Sequence, residues 1–332
     1  MKKIMRIGTY IFGVVFLLIA LILTYVKTML PNVGPAPELK VEITKEKIDR
    51  GKYLANHVML CMDCHSTRDW NSFSGPMVVG TEGKGGEIFD QVLGFPGRYV
   101  ARNITPFGLQ NWTDGEIFRA ITSGVSKDGR ALFSIMPHHN FGQLDPKDIE
   151  AVIAYLRGLN PIENKPQLSS SDFPMNFIIN TIPQKPNFNP IPEKSDKIKY
   201  GKYIITAAGC IDCHTKQEKG KFVGELYAGG FEFKLQDGSI VRSANITPDK
   251  TLGLGNWTSE QFINRFKMYT DSSYVNPKPN AGEFQTMMPW TMYSGMDKVD
   301  LEAIFAYLQS LAPVKNQVEK FTSSKQIRLK TL

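Results

Sequence analysis

Three patterns of apolar and polar residues divide the 332-residue chain. The first is continuous: Ile7 to Val26 is an uncharged, apolar run of twenty residues. At a helical rise of ~1.5 Å per residue it reaches about 30 Å, the thickness of a bilayer's hydrocarbon core, and it predicts an N-terminal transmembrane helix. A cleaved signal peptide is the competing reading, but its apolar stretch is shorter and ends at a small-residue site. Tyr25-Val-Lys-Thr-Met-Leu30 offers no such site. Lys2, Lys3 and Arg6 precede the span and only Lys27 follows closely. Positive charge stays on the cytoplasmic side, so the rest of the chain is expected on the outer (periplasmic) face of the cytoplasmic membrane.

The second pattern is helical and occurs twice. A first helix can start at Thr44 or Ser195 as N-cap, with Ile48 and Ile198 on its buried side. A middle helix opens on a capping box, Thr113-Asp-Gly-Glu116 or Thr258-Ser-Glu-Gln261, and buries Ile117, Phe118 and Ile121, or Phe262, Ile263 and Phe266. In the first stretch the last helix starts at Asp145-Pro146, with Pro at the favoured first position. Ile149, Val152, Ile153, Leu156 and Leu159 form its stripe, matched by Leu301, Ile304, Phe305, Leu308 and Leu311.

These paired helices belong to a longer internal repeat. Gly51-Lys-Tyr-Leu and Cys61-Met-Asp-Cys64-His65 recur as Gly201-Lys-Tyr-Ile and Cys210-Ile-Asp-Cys213-His214. Asn103-Ile-Thr-Pro106, Asn111-Trp-Thr113, Met136-Pro137 and Ala154-Tyr-Leu156 recur in the same order as Asn245-Ile-Thr-Pro248, Asn256-Trp-Thr258, Met288-Pro289 and Ala306-Tyr-Leu308. The third pattern has no period: residues 160–196 are rich in Pro, Asn and Ser, as a linker is, although Phe173–Ile182 is apolar enough to lie against a domain. The chain therefore divides into an anchor (1–30), a linker (31–45), a first domain (46–159), an interdomain linker (160–196), a second domain (197–313) and a solvated basic tail (314–332).

Charge changes this picture little. The net charge is +7, and four of the positive residues flank or sit in the apolar span. No basic cluster with interleaved aromatics is present, so nucleic acid is not an expected partner. The four cysteines all lie in the two repeated motifs, leaving none for a disulfide framework.

Cys-x-x-Cys has several uses, and the adjoining His selects among them. A closed zinc site needs four ligands, and each copy offers one Cys pair with few other candidates. Cys-x-x-Cys-His is the c-type haem attachment signature: two thiols nearly one helical turn apart can bond two vinyl groups on one porphyrin edge, and the next imidazole reaches the iron. The expected cofactors are two haem c groups, attached at Cys61 and Cys64 and at Cys210 and Cys213, with His65 and His214 as proximal ligands. A six-coordinate electron carrier needs a second axial ligand, and Met in that role raises the potential. Met136 and Met288 share one register in the repeat and are the expected distal ligands; core packing is the other use of such a Met. His138 and His139 are the alternatives in the first copy and read as surface residues, since Trp290 and Thr291 stand in their places. Met287 and Met292 compete with Met288 without matching Met136. His57 falls where the first copy has an extra residue and reads as structural. Trp112 and Trp257 can donate to a haem propionate or simply pack. Gly51 and Gly201 are expected to let the first and last helices touch near Tyr155 and Tyr307.

With these motifs in hand, the chain resembles bacterial class I cytochromes c. More closely, it is similar to the multihaem cytochrome c subunit of membrane-bound alcohol and gluconate dehydrogenases, which shows the same order of Cys-x-x-Cys-His, Asn-Ile-Thr-Pro, Asn-Trp-[Ser/Thr], Met-Pro and Ala-Tyr-Leu. The resemblance covers roughly residues 46–313. Those subunits usually carry three haem motifs, whereas this chain has two. The expected fold is all-α: two tandem class I cytochrome c domains after a transmembrane helix. The resemblance implies an electron-transfer protein, not an enzyme, placed between a dehydrogenase or quinol-oxidising complex and an acceptor such as a terminal oxidase. A dihaem redox enzyme, peroxidase-like or thiosulfate-oxidising, is the alternative; the matched methionines argue against an open iron and the lack of a spare Cys against a Cys ligand.

Overall fold

The computed structural model describes residues 2–270 and 273–330. Lys2–Thr28 forms one helix, α1, with no buried residue, and it is long and apolar enough to cross a membrane. In the first copy α2 (Lys45–Tyr53) is capped by the Thr44 side chain, α3 (Asp114–Ser123) by the complete Thr113/Glu116 capping box, and α4 (Pro146–Arg157) by Asp145. The second copy repeats this as α5 (Lys197–Ala207), α6 (Ser259–Lys267), with the Thr258/Gln261 box, and α7 (Lys298–Gln309). One starting position and one burial differ from expectation. Asp196, not Ser195, caps α5, and Ile198 is half exposed in its first turn.

The first and last helices of each copy cross at a glycine. A Cβ on Gly51 would lie 1.8 Å from the Ala151 carbonyl oxygen, and one on Gly201 would lie 1.9 Å from that of Ala303. The predicted close approach beside Tyr155 and Tyr307 is therefore a backbone-to-backbone contact that only glycine permits.

The all-α expectation is overturned. Among the described residues, three small antiparallel sheets accompany the helices. In the first copy β1 (Ile88–Phe89) pairs with β2 (Gly97–Val100), and β3 (Ser170–Ser171) joins the other edge of β2. A hairpin of β4 (Gln217–Glu218) and β5 (Lys221–Phe222) follows the second Cys motif. The second copy then builds β6 (Glu232–Lys234), β7 (Ile240–Arg242) and β8 (Phe321–Thr322) as the first built β1 to β3. The third strand in each copy comes from beyond the last helix. The side chain of Asn103 donates to the Ile162 carbonyl (2.8 Å) and that of Asn245 to the Val314 carbonyl (2.7 Å), fixing where each returning segment begins. Residues after 313 are thus folded onto the second copy up to β8, with a short helix Ser324–Lys330 following, and not a free tail. Phe173–Ile182 packs on α1 instead of on a domain core, with the Lys27 ammonium 5.8 Å from the Phe177 ring centre.

The copies meet about an approximate two-fold relation made by crossed tyrosines. Tyr53 donates to Asp300 (2.6 Å) and accepts from the Asp297 N–H (2.9 Å); Tyr203 donates to Asp148 (2.8 Å) and accepts from the Asp145 N–H (3.0 Å). Each first helix therefore caps the last helix of the other copy. Both phenols are pushed well above their usual range by burial and then by the facing carboxylate. One continuous core runs through both copies, from Leu54, Ile149 and Ile153 to Ile204, Leu301 and Leu308.

Candidate haem-binding site

Each Cys-x-x-Cys-His motif is a single helical turn entered through a left-handed residue. Leu60 (φ 56°) precedes the turn Cys61–Cys64, and Gly209 (φ 65°) precedes Cys210–His214. That kink ends the first helix and starts a new turn, on which both thiols and the imidazole follow one another. Cys61, Cys64 and Cys210 are half-buried and Cys213 is exposed. Burial raises the pKa of all four thiols.

The histidines are fixed identically. His65 Nδ1 lies 2.7 Å from the Arg102 carbonyl oxygen, and His214 Nδ1 lies 2.8 Å from that of Ala244. A carbonyl can only accept, so Nδ1 carries the proton and Nε2 keeps its lone pair, the arrangement a metal-binding imidazole needs. Burial lowers both imidazoles' pKa values, which favours the same neutral form. Their backbone carbonyls are tied as well, to the Gly85 and Gly229 N–H groups at 2.8 and 2.7 Å. The orienting carbonyls of Arg102 and Ala244 had no signal of their own in sequence; each sits immediately before the repeated Asn-Ile-Thr-Pro motif. That motif is a loop brace: the Asn103 and Asn245 side chains are buried and accept from the N–H and hydroxyl of Thr105 and Thr247.

Met136 and Met288 are half-buried against the core in matching turns. The carbonyl of each accepts from the N–H two residues on, His138 (2.7 Å) or Trp290 (2.9 Å). Of their competitors, Met287 lines a cleft with Trp70, Leu93 and Leu235, and Met292 is buried with its carbonyl facing His57. The surface reading of His138 is wrong. Only 1% of it is exposed, and burial lowers its pKa to about 4. It takes the place of Trp290 as a packed ring, lying against Gly124 at the end of α3. His139 is partly exposed, and its Nε2 lies 3.0 Å from Asp212.

The two attachment turns face a shared interior. Tyr293 is buried, donates to the Ala208 carbonyl (2.6 Å), and is raised well above its usual range by burial and then by Cys210, Cys213, Asp63 and Cys64. It stands within electrostatic reach of both cysteine pairs. Asp63 itself is held up at about 6 by burial, against the opposing pull of Arg68 3.0 Å away.

Comparison with known proteins agrees with this geometry. Residues 198–312 match the cytochrome c family. The chain is 27% identical over 290 residues, 83% of its length, to the cytochrome c subunit of the alcohol dehydrogenase (quinone) of Gluconacetobacter polyoxogenes. It is 24% identical over 296 residues, 84% of its length, to the gluconate 2-dehydrogenase cytochrome c subunit of Pantoea cypripedii. A diheme cytochrome c-type protein of Cereibacter sphaeroides is 26% identical over 113 residues, 34% of this chain and 36% of that one. The chain spans 58% and 63% of the lengths of the first two relatives. Its second copy matches the cytochrome c family, and the chain is similar along most of its length to cytochrome c subunits of dehydrogenases.

Proposed function

We propose that the chain is a membrane-anchored dihaem cytochrome c, with one haem bound in each of the domains 46–159 and 197–313. Cys61 and Cys64, and Cys210 and Cys213, hold the two groups; His65 and Met136, and His214 and Met288, supply the axial ligands. The observation that carries this reading is the identical treatment of His65 and His214, each with Nδ1 held by a carbonyl so that Nε2 is free to bind. When bound, the haem supplies one-electron chemistry. The chain's own residues attach it, fix imidazole orientation and surround it with a dry interior. With Met136 and Met288 as the second ligands, a bound haem would favour the reduced state. Helix α1 holds the domains at the outer membrane face, where they take electrons from a dehydrogenase or quinol-oxidising complex and pass them to an acceptor such as a terminal oxidase.

The intact mass of the full chain tests this reading. It is expected to exceed the polypeptide by two haem groups, and replacing Cys61 and Cys64 with Ala should remove one. A mass with bound zinc or with four free thiols contradicts it.

A further inference from the structure

We propose that each methionine strap is held in place by the attachment side of the other copy: Ser74 is a positioning residue for Met288, and Asp212 is one for Met136. The inference rests on the reading of both methionines as axial ligands.

Ser74 belongs to the first copy, is 1% exposed, and takes a left-handed backbone (φ 69°). Its hydroxyl donates to the Met288 carbonyl at 2.5 Å and accepts from the Trp290 N–H at 3.0 Å, closing the Met288-Pro289-Trp290 turn from outside. Its backbone N–H donates to the Gln285 side chain (2.8 Å), which in turn donates to the Ser72 carbonyl (3.0 Å). Phe73 adds a backbone bond to the Pro277 carbonyl and accepts from the Asn276 amide. Arg68 sets the position of Ser74, donating to the Ser74 and Gly75 carbonyls at 2.8 Å each while pairing with Asp63 at 3.0 Å. Asp63 lies between Cys61 and Cys64. Direct contacts thus run from the first attachment turn to the backbone of the second methionine.

The opposite crossing uses other residues. Asp212, between Cys210 and Cys213, accepts from His139 Nε2 (3.0 Å) and from the Asn140 amide (2.6 Å). The Asn140 N–H donates to the Pro137 carbonyl, so this is the turn that begins at Met136-Pro137. Both crossings start from the repeated aspartate between the cysteines, Asp63 or Asp212, and reach the methionine turn through different side chains, Arg68 and Ser74 in one direction and His139 and Asn140 in the other. Duplication alone would have carried over one set of side chains, so the crossing itself is what both copies retain.

The test reads the far-red sulfur-to-iron band of the oxidised full chain in detergent. Met136→Ala isolates the second haem's band and Met288→Ala isolates the first's; if either leaves both bands intact, the ligand reading fails and not this inference. With Met136→Ala, adding Ser74→Ala should weaken the remaining band. In that double variant carbon monoxide should bind the reduced second haem about tenfold more readily, the factor expected from losing one to two net hydrogen bonds. With Met288→Ala, Ser74→Ala should change nothing and Asp212→Asn should weaken the band instead. Effects confined to the variant's own copy, or unchanged bands in all backgrounds, overturn the proposal.

Discussion

The two copies share a plan and differ in how it is pinned. Between the glycine of the first helix and the first cysteine there are ten steps in copy one, Gly51 to Cys61, and nine in copy two, Gly201 to Cys210. Copy two joins the two with an ordinary helix, α5. Copy one absorbs its extra residue as one π-helical turn over Leu54–Val58, closed by the Met59 N–H on the Leu54 carbonyl at 2.7 Å. A π-turn is how a helix accepts an insertion without losing the register on either side. His57, in that turn, reaches Met292 of copy two. The same divergence appears at the helix crossing. Arg50 makes a two-pronged contact with buried Asp148, whereas Tyr200, in the matching place, gives Asp300 a hydroxyl at 2.9 Å. The Cys-x-x-Cys-His turns and the crossed tyrosines are kept constant, while the contact between the first and last helices within each copy has been rebuilt.

What the copies share should respond alike. Gly51→Ala and Gly201→Ala each drive a methyl group into a backbone carbonyl, which no rotamer change relieves. Each is expected to cost about 3 kcal/mol or more, at the upper end of overpacking, in denaturant unfolding followed by far-UV circular dichroism. A difference of more than roughly 1 kcal/mol between them would mean that the copies do not depend equally on this crossing.

The helices and the attachment turns were legible because caps, 3.6-residue stripes and the Cys-x-x-Cys-His spacing are local. The sheets were not. Their strands are two to four residues long, too short for an alternating pattern, and Gly97 pairs with Ser171 more than seventy positions away. Asn103 and Asn245 hold the returning segments through side-chain bonds that a sequence does not display. His138 is buried although no histidine matches it in the second copy. Trp290 in the matching place was the signal that a ring packs there. The crossed contacts of Ser74 and Asp212 were beyond reach, since each requires knowing how the copies face one another.

Where the copies diverge, the effects should separate. Arg50→Met leaves the Asp148 carboxylate with the Tyr203 hydroxyl and without its cation. A broken, fully buried pair costs about 3–5 kcal/mol; with the Arg50 side chain 28% exposed, about 2–3 kcal/mol is expected. Tyr200→Phe removes one of the two phenols on Asp300 and should cost about 1 kcal/mol. Equal losses in the same unfolding assay would show that the charge on Arg50 adds nothing to the crossing.

The smallest effect is the most specific, because it joins the insertion in one copy to a glycine in the other. The His57 ring lies on Gly295, where an added Cβ would come within 2.1 Å of Nδ1. In the first copy the same distance beyond the Met-Pro pair is occupied by Gln143, so a side chain is tolerated where no imidazole presses. Gly295→Ala alone should cost about 1–3 kcal/mol, because the ring must leave the Met292 carbonyl it donates to at 2.9 Å. His57→Ala alone should cost about 1 kcal/mol for that hydrogen bond. Together the cost should be less than the sum, since the space vacated by the imidazole accepts the new methyl group; a coupling of about 1 kcal/mol in the double-mutant cycle is expected. Strict additivity would mean that the π-turn and Gly295 changed independently, and that His57 does not link the two copies.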